Sequence, residues 1–226
     1  AHDLVKRVLD TAPAVPFTAK ATLTSDRGWV RELDLSHARI DGVDTTYMEV
    51  TAPFDLKDTR FLLFDHQEGK DEQFIYVPNV RRAMQVSNET RKQPFLGSDF
   101  YISDMVRPEL GAYTYRVVGT EEVSGRHCTL VEAVPTQPEG ELYGKTISAI
   151  DPADLVVLRT QFFDPAGKPL KVWTVEKLER VDGIWTALSQ QMKSIPDDHW
   201  SRIVLGEVHY NAELPGEVFS RTYLKR

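Results

Sequence analysis

Residues 17–24 read Phe17-Thr18-Ala19-Lys20-Ala21-Thr22-Leu23-Thr24, and apolar side chains alternate with polar ones along the stretch. Because successive side chains of a strand point to opposite faces of a sheet, this period of two predicts a half-buried β-strand. A turn at 26–28 follows, and residues 29–38 alternate again. The two segments therefore predict a β-hairpin.

The same alternation recurs along the chain, interrupted by Gly, Pro, Asn and Asp at turns. Further strands are predicted over 45–50, 60–65, 73–77, 80–86, 113–118, 128–134, 146–150, 156–163, 170–178, 184–192 and 201–210. A polar turn is predicted at 66–70, and helical spacing of apolar residues predicts a helix over 4–9. So many strands cannot stay flat. We therefore expect a mainly β (α+β) fold, with one curved antiparallel sheet in a single domain, 1–226.

The composition is that of an ordinary globular chain, with 41% hydrophobic residues, 27% charged residues and a formal net charge of −7. The phosphate backbone repels an acidic chain, so we expect no nucleic acid partner. The same net charge opposes lasting adsorption to an anionic membrane surface. These features favour a folded domain with a well-solvated surface.

Residue types that support catalysis or metal binding form no recognisable pattern in the sequence. The six histidines include no His-x-x-x-His or Glu-x-x-His pair. The sequence contains no Gly-x-Ser-x-Gly elbow and no phosphate-binding glycine loop. The single cysteine, Cys128, lies in a strand-like run and is expected to be a buried thiol. We therefore expect no catalytic residues, no metal and no cofactor.

Several predicted strands are apolar on both faces, as in residues 61–64 and 74–77, so both of their faces must be covered. The concave face of the curled sheet is then filled either by the protein's own side chains and a covering helix, or by an acyl chain. Each buried CH₂ of such a chain contributes roughly 0.8 kcal/mol. A shift of one residue in register would exchange the two faces. The candidate groove residues are Phe17, Ala19, Ala21, Leu23, Leu33, Leu35, Met48, Phe61, Leu63, Phe74 and Tyr76.

The segment between the predicted strands 80–86 and 113–118 is first polar and then apolar. We expect a short helix near 98–105, capped by Ser98 or Asp99, after a backbone turn at Gly97. Its apolar and aromatic side chains either pack in the core or form a movable lid. The candidate lid residues are Phe95, Leu96, Phe100, Tyr101 and Met105.

Two adjacent arginines, Arg81 and Arg82, precede this segment. They either form salt bridges that fix the segment to the sheet, or contact a lipid head group or a partner carboxylate. The planar guanidinium suits both, because it binds carboxylate and phosphate oxygens in pairs.

Two stretches in the middle of the chain carry a family motif. Residues 74–83 read Phe-Ile-Tyr-Val-Pro-Asn-Val-Arg-Arg-Ala, and residues 91–100 read Arg-Lys-Gln-Pro-Phe-Leu-Gly-Ser-Asp-Phe. Together they resemble the signature of the outer-membrane lipoprotein-sorting protein family, relatives of LolA and LolB. That signature is an aromatic strand and a double arginine, followed by a Phe-Met-Gly-Ser-Asp-Phe block. Weaker matches follow the family order at 58–62, 125–128, 162–171 and 219–224.

The resemblance implies a half-open β-barrel of about eleven strands, with an N-terminal helix and a short helical insert over the open side. It implies a periplasmic protein, its signal peptide removed, that carries a lipid or an acylated lipoprotein between the inner and outer membranes. The implied partners are acyl chains, an inner-membrane exporter and an outer-membrane acceptor, and we expect a monomer. The family supplies no catalytic residues.

Two other functions remain as alternatives. One is a regulatory or sensor module like RseB, which would bind an inner-membrane partner stably and without lipid. The other is an enzyme, since the violacein-pathway protein VioE has a related fold and a fold does not determine a function. Turnover that is abolished by one polar substitution in the groove would support the enzyme.

Overall fold

The computed structural model describes residues 1–11, 15–66 and 71–225. Thirteen strands occur in this part of the chain. They are β1 (Phe17–Ser25), β2 (Val30–Ile40), β3 (Val43–Ala52), β4 (Arg60–Asp65), β5 (Glu72–Val77), β6 (Arg82–Gln85), β7 (Tyr113–Val123), β8 (Arg126–Pro135), β9 (Lys145–Asp151), β10 (Val156–Phe163), β11 (Pro169–Val181), β12 (Ile184–Ser194) and β13 (His199–Tyr210).

Helical structure is limited to short pieces. The two α-helices are α1 (His2–Asp10) and α2 (Asn88–Arg91). The 3₁₀ turns are Pro78–Val80, Phe95–Gly97, Ile102–Met105, Leu110–Ala112, Gly216–Phe219 and Tyr223–Lys225. Among the described residues, none of the helices has the length and apolar character needed to cross a membrane.

The thirteen strands form one antiparallel sheet with the order β6-β5-β4-β3-β2-β1-β13-β12-β11-β10-β9-β8-β7. Two meanders, β1–β6 and β7–β13, therefore join where β1 pairs with β13. The sheet remains open between its edge strands β6 and β7. Residues 87–111, here called the insert, connect these two edges.

The predicted fold class is confirmed: one curved, unclosed antiparallel sheet with small helical parts. Each of the thirteen segments identified by alternation forms a strand, so the total of about eleven that the resemblance implied is too low. The predicted turn at 66–70 lies, except for His66, outside the described residues.

The predicted helix over 98–105 is wrong in its detail. Two 3₁₀ turns, Phe95–Gly97 and Ile102–Met105, replace it. Ser98 ends the first turn, since its hydroxyl donates to the carbonyl oxygen of Phe95 (2.6 Å) and accepts from the amide of Phe100 (3.2 Å). The carboxylate of Asp104, and not that of Asp99, accepts from the amide that begins the second turn, at 2.7 Å. Gly97 has a φ of 77°, which favours glycine, as predicted.

Two apolar clusters lie on opposite faces of the first meander. The inner face of the sheet carries a cluster from β1–β4 and β12 that includes Val86, directly after β6, and side chains of the insert. The outer face carries a second cluster from β2–β5, which the C-terminal residues Phe219 and Leu224 cover. Strand β4 is buried on both faces, because Phe61 and Leu63 point inward and Leu62 points outward. A third cluster lies among β7–β11.

Replacing Leu62 with alanine tests this two-sided burial. The substitution empties space between β4 and the C-terminal segment, so we expect the free energy of unfolding to fall by about 2–5 kcal/mol. Urea denaturation measures the change. Val118→Ala, at an exposed position of β7, is the control and should change stability by no more than about 0.5 kcal/mol. Equal effects of the two substitutions would contradict the assigned packing.

Candidate functional site

The inner face of the first meander brings most of the predicted groove residues together. Register pairs Ala21 with Leu33, and Met48 with both Leu35 and Phe61, so these side chains follow one another across β1–β4. Six predicted residues belong to the inner cluster and Leu35 packs against it. The six are Ala21, Leu23, Leu33, Met48, Phe61 and Leu63.

Phe17 and Ala19 lie on the same face of β1, nearer the start of the strand. Ala19 is buried opposite Leu35. The ring of Phe17 stacks on His37, with centroids 5.0 Å apart, and meets Tyr210 at 5.4 Å. These two residues therefore extend the inner face without joining its main cluster.

Phe74 and Tyr76 are on the wrong face for the predicted groove. Phe61 pairs with Ile75, so Ile75 is the β5 residue that points inward. Phe74 is buried in the outer cluster and Tyr76 packs against it. The prediction fails because β5 is apolar at successive positions, and a strand of this kind has no alternation from which its phase can be read.

The insert covers the inner face. Phe95, Phe100 and Ile102 are buried in the inner cluster, and Leu96 and Met105 pack against it. The rings of Phe95 and Phe61 lie 4.9 Å apart, which joins the insert to β4 directly. These side chains of the insert thus occupy the space for which the sequence predicted either the protein's own core side chains or an acyl chain.

The insert has no backbone–backbone hydrogen bond to any strand among the described residues. Its own backbone bonds are internal, such as Phe95 to Phe100 (2.7 Å) and Ile102 to Gln93 (3.1 Å). Side chains make its attachments to the sheet, for example the amide of Gln73, which donates to the carbonyl oxygen of Ile102 at 3.2 Å. The insert and the β-ladder therefore have separate networks of backbone hydrogen bonds.

One end of the insert is held by a buried cation, which we call the lysine anchor. The ammonium of Lys171 donates to the carboxylate of Asp104 at 2.6 Å, and the hydroxyl of Tyr143 donates to the same carboxylate at 2.8 Å. Lys171 and Asp104 are only 3% and 8% exposed. The ring of Tyr101 lies 3.8 Å from the ammonium, as a cation–π partner.

The pKa values of the lysine anchor follow from this burial. Burial lowers the pKa of Lys171, although Asp104 opposes the change. Burial, followed by the charge of Asp104 and the hydrogen bond to it, raises the pKa of Tyr143 far above its ordinary value. The tyrosine therefore stays a neutral donor, and the pair of Lys171 and Asp104 forms the charged contact.

Asp99 adds a second contact near the lysine anchor. Its carboxylate accepts from the hydroxyl of Ser201 at 2.6 Å and lies 2.6 Å from Nδ1 of His199. Its amide donates to the Ser201 hydroxyl at 3.1 Å. Asp99 thus ties the insert to β13, while Asp104 ties it to β11.

The same end of the insert is held by a second contact three residues further on, the arginine anchor, formed by Arg107 with Asp44 and Asp65. The guanidinium donates to Asp65 at 2.9 Å and to Asp44. Asp44 also accepts two bonds from Arg39, both at 2.7 Å. Burial acts to raise the pKa of Asp44, but its bonds to the two arginines outweigh this and lower the pKa. Asp44 therefore stays ionised.

Two cavities have charged side chains in their linings, one beside the lysine anchor and one on the outer face of the sheet. The first, of about 200 Å³, lies where the insert meets β11–β13, and Arg27, Asp99, Lys171 and His199 are among the residues that line it. The second, of about 480 Å³, lies between β3, β4 and the C-terminal segment and is lined by Tyr47, Glu49, Arg60, Glu217 and Tyr223. The first lining is a mixture of charged, polar and apolar residues and the second is mainly charged and aromatic, so neither is the apolar groove that we predicted.

Arg81 and Arg82 lie apart from both anchors. Arg81 is in the left-handed conformation after the turn Pro78–Val80, and Arg82 begins β6. Both are exposed. Neither forms an ion pair with another described residue, so the predicted salt bridge to the sheet is not made within that part of the chain.

Several residues of the site were not predicted. Val50 and Ile75 could have been found from the pairing of their strands with Leu33 and Phe61. Met192 and Trp173 complete the inner face from the second meander. The anchors carry no local signal, because their partners lie far apart in the sequence. Among the described residues, no group of three or more His, Cys, Asp or Glu side chains is arranged to hold a metal ion.

A curled open sheet with a separate cover over its inner face defines a LolA/LolB-like fold. A family model described as "Uncharacterized protein" matches residues 42–226, and the chain belongs to that family. The resemblance to the outer-membrane lipoprotein-sorting family is confirmed at the level of the fold. No curated protein matches the sequence.

Solved structures share this fold at low sequence identity. A DUF1329 family protein from Desulfovibrio piger has a TM-score of 0.91 and 21% identity, over 99% of this chain and 97% of that one. A putative outer membrane lipoprotein-sorting protein domain from Vibrio parahaemolyticus has a TM-score of 0.91 and 22% identity, over 100% and 98%. A LolA superfamily protein from Nitrosomonas europaea has a TM-score of 0.76 and 14% identity, over 99% and 98%.

Asp104→Asn tests the lysine anchor. The substitution keeps the shape of the side chain but leaves the ammonium of Lys171 buried without a counter-charge. We expect the free energy of unfolding to fall by about 3–5 kcal/mol, measured by urea denaturation. Adding Lys171→Met removes the buried charge, so the double variant should recover most of the loss. A double variant no more stable than Asp104→Asn alone would contradict this assignment.

Lowering the pH should destabilise the protein through His37. Burial lowers the pKa of His37 below 6.5, and among its charged neighbours Asp44 and Asp65 raise it while Arg107 and Arg39 lower it further. As the pH falls through 6.5, the unfolded chain binds a proton on this histidine before the folded chain does. The free energy of unfolding therefore falls until the pH passes below the folded pKa.

The variant His37→Gln should lose this part of the pH dependence, measured by urea denaturation on both sides of pH 6.5. His127→Gln, at an exposed position, is the control. The prediction is wrong if the stability difference between wild type and His37→Gln does not change with pH.

Proposed function

We propose that the protein is a non-enzymatic periplasmic carrier that holds the acyl chain of a lipid or lipoprotein against its inner face after the insert moves aside. The observation that carries the proposal is the separation of cover and sheet. The insert buries Phe95, Phe100 and Ile102 on an apolar face, and no backbone–backbone hydrogen bond joins it to a strand among the described residues. The insert can therefore leave without breaking the β-ladder.

The apolar side chains of the insert take the place of the cargo in the covered state. Displacing them exposes the inner face, which is unfavourable unless another apolar group replaces them. An acyl chain supplies that group, since each CH₂ that it buries contributes roughly 0.8 kcal/mol. Loading is then an exchange of one apolar group for another on the same surface.

The two anchors determine where the insert returns. A buried ion pair adds little net stability compared with an apolar pair, but it rejects positions that leave its charges unpaired. Lys171 accepts Asp104 in one position of the insert, and Asp44 and Asp65 accept Arg107 in one position. The anchors thus give the covered state a defined geometry while the apolar contacts remain exchangeable.

The location and partners that we propose follow from the family. Solved relatives are described as an outer membrane lipoprotein-sorting domain and a LolA superfamily protein. A carrier of this kind collects its cargo from an inner-membrane exporter and delivers it to an outer-membrane acceptor. It acts as a monomer in a single domain, without catalytic residues or a cofactor.

Locking the insert tests the proposal. The side chains of Asp99 and Ser201 are in contact, so cysteines at both positions are placed to form a disulfide between insert and sheet. Cys128 is buried in the cluster among β7–β11, away from both positions, so the two new thiols are each other's partners. We expect the oxidised variant not to bind a fluorescent fatty acid, and the same protein to bind it after reduction.

Wild-type protein under the same oxidation and reduction is the control, and it should bind the fatty acid in both states. Native mass spectrometry of protein from its own periplasm should also show a bound acyl species. An oxidised variant that binds as well as the reduced one would overturn the role of the insert. If the wild-type protein binds no acyl chain, the proposed carrier function itself is wrong.

A further inference from the structure

Three turns of the first meander lie side by side at one end of the sheet. Consecutive antiparallel strands reverse direction, so every second turn falls at the same end. The turns between β1 and β2, β3 and β4, and β5 and β6 therefore share an end. We call residues 26–31, 53–58 and 78–82 the hairpin rim.

The hairpin rim exposes large apolar side chains at the tips of these turns. Phe54 is 93% exposed, Val80 is 62% exposed and Val30 is 48% exposed. Glu32 pairs with Ala52, so Val30, at the start of β2, and Phe54, in the turn after β3, each lie two residues beyond that pair. Trp29 and Leu56, in the same turns, pack against the inner cluster, whereas these three side chains are left exposed beside it. Apolar side chains exposed together mark a candidate interaction surface.

The charge of the hairpin rim is opposite to that of the whole protein. Its residues include five basic and three acidic side chains, whereas the chain has a formal net charge of −7. Arg81 and Arg82 directly follow Val80 in the sequence, and both are exposed. Lys57 is exposed in the turn that carries Phe54, together with the exposed Asp55 and Asp58. The hairpin rim is therefore net positive, although the protein as a whole is net negative and is repelled by an anionic surface.

We propose that the hairpin rim docks the protein on the surface of an anionic lipid bilayer. Apolar tips flanked by cations match the interface of such a bilayer, where apolar groups enter the acyl boundary and cations meet phosphates. A protein partner fits less well, because a specific interface needs about 800 Å² of complementary surface on each side, and single side chains on separate turns do not provide it.

The hairpin rim also lies next to one end of the insert. Arg27 belongs to the rim and lines the cavity that Asp99 and Lys171 share. Docking therefore brings the lysine anchor, and the insert that it holds, close to the bilayer. This inference adds to the proposed carrier function, because a carrier must meet the membrane from which it takes an acyl chain, but the two can fail separately.

Vesicle flotation tests the inference. The wild-type protein should float with vesicles of phosphatidylethanolamine and phosphatidylglycerol, and less with vesicles of phosphatidylcholine alone. Phe54→Ala should weaken this association roughly tenfold, since it removes most of the inserted apolar surface. Arg81→Gln and Arg82→Gln should each weaken it roughly fivefold and reduce its dependence on salt.

Matched controls lie outside the hairpin rim. Val117→Ala, on the exposed edge strand β7, and Arg7→Gln, on the exposed face of α1, should float like the wild type. Phe54→Ala should still bind the fluorescent fatty acid, because that assay contains no membrane. The inference is overturned if the wild type does not float, or if the control variants lose as much as Phe54→Ala. If the wild type floats with the vesicles but does not bind the fatty acid, the proposed carrier function is wrong and the membrane docking is still supported.

Discussion

An open sheet of thirteen strands has an inner face that its own strands cannot cover, and the rest of the structure depends on this constraint. A closed barrel would fill its interior from all sides with strand residues. Here the chain leaves β6, crosses the inner face as the insert and returns as β7. The apolar inner face is thus buried by the insert, which is not part of the β-ladder. The ladder stabilises the sheet, and different contacts determine whether the insert stays in place.

The insert combines two kinds of contact with different physical properties. Phe95, Phe100 and Ile102 make non-directional apolar contacts, which another apolar group can replace. Asp104 and Arg107 make directional contacts with buried or half-buried charges on the sheet. Charged groups in a low dielectric are costly when unpaired, so the directional contacts favour one arrangement over its neighbours. The charged residues of the insert therefore determine its position on the sheet, and its apolar residues determine how strongly it binds the inner face.

The sequence predicted most strands well because one face of each is buried and the other exposed, so the period of two marks both its extent and its phase, as in Phe17–Ser25. The face assignment succeeded on β1–β4 and failed for Phe74 and Tyr76, where apolar residues at successive positions leave the phase undefined. The helix expected near Ser98 became two 3₁₀ turns, because the side chains of Ser98 and Asp99 bond outside a helical pattern. The lysine anchor joins residues 67 positions apart, and no local pattern marks such a pair.

The pairing of β1 with β13 joins the first strand of the sheet to the last strand of the chain, and this affects folding. Lys20 and Glu207 meet across it although 187 positions separate them in the chain. Contacts of such long range form slowly, because ordering a long loop costs entropy before any pairing compensates for it. Each meander has only local pairings and can form early, but both carry an unpaired edge until the last strand arrives. A newly made chain therefore exposes two edges that favour aggregation, and its folding depends on protection until synthesis has passed residue 210.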